Sequence, residues 1–193
     1  MITKEHISLF TDSNSIALVG TGGNLAIAQH MASDIYRHTG KFTFAPDSVG
    51  LTALGGDGDW KHDWIKYANK GADLIIGITC RVNSPLTQEL QKISITAPYG
   101  GSTRTLLIAP TKHETLETIV IESTHYHEFE IKALSIIYEL MEKSGVKLPT
   151  LPNEVNRYED VTKNRDDIFC FDMCNEFTFK IDLISRSFDF HRL

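Results

Sequence analysis

The sequence predicts an α/β domain: a parallel sheet with helices on both faces. Three observations carry this. Short apolar runs alternate with stretches of helical periodicity from Ile16 to Lys143, the pattern of strand–helix–strand units. One run, Asp73-Leu74-Ile75-Ile76-Gly77-Ile78-Thr79, is continuously apolar, as in a strand buried on both faces. A glycine-rich turn, Gly20-Thr21-Gly22-Gly23-Asn24, joins the first apolar run to the first helical stretch.

In chain order, Ile16 to Val19 reads as a short strand and Asn24 to His38 as a helix. Lys41-Phe42-Thr43-Phe44 is extended. Trp60 to Lys70 is helical, with Trp60, Trp64 and Tyr67 at i, i+4 and i+7. The buried strand at Asp73–Thr79 precedes a helix from Ser84 to Ile93, whose Pro85 falls in the first turn, where a missing N–H costs nothing. Thr105–Ala109 and Thr118–Glu122 are further strands. His125 to Lys143 is a long helix ended by Gly145. Residues 1–147 make up this domain. A linker with Pro149 and Pro152 begins at 148 and leads into a small C-terminal β extension to 193. There Glu176 to Leu183 alternates polar and apolar residues, with Ile168–Phe171 as a hairpin partner, and the extension packs on the domain or on another subunit.

At 193 residues the chain has room for one sizeable core and an appendage. With 19 Lys and Arg against 25 Asp and Glu, its formal charge of −6 argues against nonspecific nucleic-acid binding. Met1 to Thr11 lacks the apolar region of a secretory signal, and no run is long enough to cross a membrane. Cys80, Cys170 and Cys174 are an odd number, which is no disulfide framework and fits a reducing cytoplasm. Zinc on Cys170 and Cys174 would need further soft ligands nearby.

Ligands of open parallel sheets bind beyond the carboxyl ends of the strands, and three groups of residues fall there. Gly22, Gly23 and Asn24 open a helix whose unpaired N–H groups suit an anion, although the turn is neither a P-loop nor a full dinucleotide fingerprint. A purely structural tight turn is the other reading. Thr79-Cys80-Arg81-Val82-Asn83-Ser84 offers hydroxyls, amides and a guanidinium to a phosphate. Asn83 or Ser84 serves equally well as a helix N-cap. Finally, His30 and Asp34 share a helix face at i, i+4, and His125, His127 and Glu128 open the last helix. Imidazole and carboxylate donors suit zinc or another divalent metal. Asp57 and Asp59, in Gly55-Gly56-Asp57-Gly58-Asp59, read as a solvated turn, with a substrate contact as the lesser reading.

These segments resemble, in order, the sugar isomerase (SIS) domain and within it the phosphoheptose isomerase branch. The glycine turn with Ala28-Gln29-His30-Met31-Ala32 is similar to that branch's Gly-x-Gly-Gly-Ser turn and Ala-x-His helix. Leu54-Gly55-Gly56-Asp57 resembles its Gly-Asn-Asp segment, Gly77 to Pro85 its serine-rich loop, and His127-Glu128 with the helix to Glu142 its Gln-Glu helix. The match runs from about residue 15 to about residue 145.

The resemblance implies a doubly wound, flavodoxin-like fold, a homo-oligomer (dimer or tetramer) with sites between subunits, and a phosphorylated sugar as ligand. It also implies isomerisation of sedoheptulose 7-phosphate through an enediol, with zinc in the site. By position, His30 is a metal ligand, Asp34 a ligand and base in place of glutamate, and His127 a ligand in place of glutamine. Asn24, Asp57, Thr79 and Ser84 fall on phosphate or substrate contacts. The chain departs from the pattern in that Asn24 replaces a serine, Thr79-Cys80-Arg81-Val82 replaces a hydroxyl-rich stretch, Ser135 stands where the branch has a catalytic histidine, and the N-terminal helix that precedes the first strand is largely missing. Two functions fit this pattern: a sugar-phosphate isomerase with a modified site, and a noncatalytic SIS protein that binds a sugar phosphate. A metal-dependent enzyme of another class on the same scaffold is a third.

Overall fold

A computed structural model describes residues 1–47, 59–96 and 103–149. The expected β extension, the cysteines Cys170 and Cys174, and Asp57 lie outside the described residues. Five strands run parallel: β1 (Ser15–Gly20), β2 (Phe42–Phe44), β3 (Leu74–Ile78), β4 (Arg104–Ala109) and β5 (Thr118–Val120). Their spatial order is β2-β1-β3-β4-β5. The chain adds β2 on one side of β1 and β3 on the other, so the topological switch point lies between the carboxyl ends of β1 and β3. This is the doubly wound, flavodoxin-like arrangement.

Alternation along the strands divides the core into two layers. Ile16, Leu18, Leu74, Ile76, Leu106 and Ile108 face α1 (Lys4–Thr11), α2 (Gly23–Thr39) and α5 (Tyr126–Lys143). Ala17, Val19, Ile75, Leu107 and Ala109 face α3 (Trp60–Ala68) and α4 (Pro85–Thr96). Every residue of β3 is buried, as its unbroken apolar run requires. Residues 1–148 form one compact unit. Among the described residues no helix is long and apolar enough to cross a membrane.

Some boundaries differ from the sequence expectation. Strand β5 ends at Val120 rather than Glu122, and α3 ends at Ala68 rather than Lys70. Of the expected aromatic stripe, Trp64 is buried and Trp60 partly so, but Tyr67 is exposed and meets the Phe44 ring edge-on at 6.3 Å. Helix α1 corrects the expectation that the helix before the first strand is largely missing. It starts with a reciprocal cap: Thr3 Oγ1 accepts the His6 amide at 3.3 Å, and the Thr3 amide donates to His6 Nδ1 at 3.0 Å. The other imidazole nitrogen, Nε2, is buried 2.7 Å from Glu117 Oε1. Burial lowers the pKa of this histidine, against the opposing pull of Glu117.

Asp73 locks the starts of β1 and β3 together. Its Oδ2 accepts the Asn14 and Ser15 amides at 2.8 and 3.0 Å, while its own amide donates to Ser15. The Ser15 amide, then the Asn14 amide, hold its carboxyl below the ordinary aspartate range. A carboxylate depressed in the folded state contributes stability that is present above the unfolded pKa of about 3.9 and is lost as pH falls through the folded value. Asp73→Asn is therefore expected to lower the melting temperature at pH 7, with the gap from wild type closing below about pH 4. Melting curves across that range check the sign, and a gap that widens toward acid pH contradicts it.

Candidate functional site

The described residues hold a pocket of about 350 Å³ at the switch point. The turn after β1, the loop after β3 with the start of α4, Lys61 from α3, and Tyr126 and Glu130 from α5 form its walls. The first wall requires glycine. Gly22, the residue before α2, has φ of 60° and ψ of −130°, a conformation that side chains rarely adopt. It gives α2 no side-chain cap, so the first amides of that helix are left to other partners. Asn24 follows in the first turn and is 4% exposed. Its Nδ2 donates to Cys80 Sγ at 3.4 Å, while Oδ1 is buried with no hydrogen-bond partner.

The second wall is the Thr79–Ser84 loop. Thr79 Oγ1 accepts the Arg81 amide at 3.1 Å and lies 3.4 Å from Ser84 Oγ. Ser84 Oγ accepts the Thr87 amide at 3.2 Å and meets Thr87 Oγ1 at 2.8 Å. Ser84 is thus the N-cap of α4, with Pro85 at the first helical position. Between the two alternatives for Ser84, its hydroxyl here serves the helix. Arg81 is exposed at the mouth, its Nη2 3.5 Å from the Tyr126 hydroxyl.

The structure gathers Gly22, Gly23, Asn24, Thr79, Arg81 and Ser84 around this pocket. Cys80 of the same loop lines it too, and the structure adds Lys61, Tyr126 and Glu130, which the sequence reading did not place there. Lys61 comes from α3, its ammonium 5.0 Å from the Trp60 ring centroid and 3.4 Å from Asp59 Oδ1.

His30 and Asp34 do not line the pocket. They lie further along α2, where it packs against α5. There His30 Nε2 is 3.5 Å from Asp34 Oδ2 and 3.1 Å from the Tyr138 hydroxyl, and that hydroxyl donates to Asp34 Oδ2. Burial, then the bond to Asp34 and its charge, push the Tyr138 phenol up to about 12. His30 is half exposed and Asp34 is 20% exposed. Sequence spacing missed Tyr138, because only helix packing brings it to residues 104 and 108 positions earlier.

His127 is exposed and stacked on His125, ring centroids 5.5 Å apart. Among the described residues no three His, Cys, Asp or Glu side chains converge as a metal-holding group. Within one chain, His127 is therefore apart from the His30–Asp34 pair. Ser135 is exposed and donates to Ile131 O at 3.1 Å in its own helix.

Fold and pocket together define a doubly wound α/β protein with a pocket at the switch point. Over 157 residues the chain is 26% identical to a phosphoheptose isomerase of Pelobacter propionicus, a match covering 72% of this chain and 80% of that relative. The solved phosphoheptose isomerase of Neisseria gonorrhoeae superposes with a TM-score of 0.55 at 18% identity, over 74% of this chain and 87% of the other. No protein-family model matches the chain. The chain is thus similar, in sequence and fold, to the phosphoheptose isomerase branch that its motifs resemble.

Proposed function

We propose that the chain is a sugar-phosphate isomerase that interconverts ketose and aldose phosphates, with sedoheptulose 7-phosphate as the first candidate substrate. The observation that carries this is the switch-point pocket, where the Thr79–Ser84 loop, Arg81 and Lys61 meet across from the glycine turn. These groups suit a phosphate ester. The resemblance to a relative named phosphoheptose isomerase supports the same reading.

The reaction moves a proton between adjacent carbons through an enediol. Asp34 is the base, and Tyr138 holds its phenolic proton against it. The donor pair also fits zinc. His30 and Asp34, whose Nε2 and Oδ2 lie 3.5 Å apart, would hold it. Zinc, when bound, supplies a Lewis acid that polarises the carbonyl. His127 joins the pair from a second copy of the chain, in a cytoplasmic dimer or tetramer.

A noncatalytic sugar-phosphate-binding protein is the second reading. It is favoured by the engagement of Asp34 with Tyr138 and by Ser135, which makes only a bond within its own helix. Zinc-loaded protein assayed on a panel of ketose phosphates separates the two. Turnover that is lost in His30→Ala supports the isomerase. Calorimetric binding without turnover supports the second reading, and neither binding nor turnover overturns both.

A further inference from the structure

We propose that Glu130 is a specificity residue that sets the direction in which a sugar phosphate lies in the pocket. This rests on the reading of that pocket as a sugar-phosphate site. Glu130 projects from α5 onto the first residue of α2. A Cβ on Gly23 would stand 2.2 Å from Glu130 Oε1 and 2.5 Å from its Cδ, so the carboxylate lies directly against the first residue of α2. The N-terminus of α2 carries no side-chain cap. Its partial positive charge is met instead by a carboxylate of the chain itself.

This placement polarises the pocket. A phosphate brought to the α2 terminus meets a like charge. The cations of the pocket, Arg81 and Lys61, come from the β3–α4 loop and from α3, and that is where the phosphate is directed. The α2 side offers the Glu130 carboxylate as an acceptor. Sugar hydroxyls are donors and pair with a carboxylate, which a phosphate dianion does not. Glu130 thus faces the hydroxyl-bearing end of the ligand and discriminates a sugar phosphate from free phosphate.

Calorimetric titration of wild type and Glu130→Gln with inorganic phosphate and with sedoheptulose 7-phosphate tests this. The near-isosteric amide removes the charge, so inorganic phosphate is expected to bind about five- to tenfold tighter. The sugar phosphate gains less or loses affinity, and its advantage over inorganic phosphate falls by about tenfold. Glu130→Asp withdraws the charge by one methylene and shifts the ratio in the same direction by less. An unchanged ratio, with only a lower melting temperature, makes Glu130 a helix cap and overturns the proposal while leaving the pocket assignment intact. Wild type that binds neither compound overturns the pocket assignment and this inference with it.

Discussion

Asp34→Asn is expected to lower kcat for ketose–aldose interconversion by about 10³-fold, the range of a lost general base, with little change in KM. The reasoning is local. Asp34 is the carboxylate beside His30 on α2, and it accepts the Tyr138 phenol across the α2–α5 contact. An amide oxygen can accept the same hydrogen bond, so the helix packing survives while proton abstraction does not. The phosphate-type groups line a different stretch of the molecule, which is why KM is spared.

Tyr138 sharpens the test through its pH behaviour. A phenol raised to about 12 is almost wholly neutral up to about pH 10. Its proton is therefore retained throughout an ordinary assay range, and no alkaline decline near the usual tyrosine value of about 10 belongs to it. Tyr138→Phe removes the phenol from both Asp34 and His30 without adding a charge, so any change it makes in kcat reports those two contacts. Full turnover in Asp34→Asn removes Asp34 from the mechanism.

Phe10→Ala is expected to destabilise the protein by about 3–5 kcal/mol, the range for emptying a buried aromatic site. Phe10 is fully buried in the larger core layer with Ile16, Leu18 and Leu140. The Lys41 ammonium lies 5.8 Å from its ring centroid and donates to Thr11 O at 2.9 Å, which ties the end of α1 to the chain entering β2. For a unit of this size the loss corresponds to a fall in melting temperature on the order of 10 °C. Phe42→Ala is the control: its ring is 62% exposed, so a change within about 0.5 kcal/mol is expected. A Phe10→Ala melt no lower than that of the control means that α1 lies outside the cooperative unit.

The contrast between β3 and α1 shows what a sequence makes legible. Strand β3 announces itself because burial on both faces leaves no place for polar residues. Helix α1 spans eight residues, too few turns for an apolar period to stand out. Its capping box also uses His6 where glutamate or glutamine is the usual sign. The site divides in the same way. The glycine turn and the Thr79–Ser84 loop are contiguous stretches at strand ends, so their place follows from the strand order. Lys61, Glu130 and Tyr138 reach their positions only through helix packing, and nothing in their local sequence distinguishes them from solvated residues on a helix surface. His127 is the opposite case: its motif is visible, yet one chain does not bring it to His30 and Asp34.

The internal bonds of the Thr79–Ser84 loop bear on how binding responds to its surroundings. Thr79 already turns back to the Arg81 amide, and Ser84 already holds the start of α4. The loop is pre-organised, so an incoming anion incurs little ordering entropy. What it gains comes mainly from Arg81 and Lys61, and Arg81 stands in water. Charges so exposed are screened over about 8 Å at physiological ionic strength. Affinity at this mouth will therefore track ionic strength more closely than temperature, and the salt in the buffer becomes a variable of recognition in its own right.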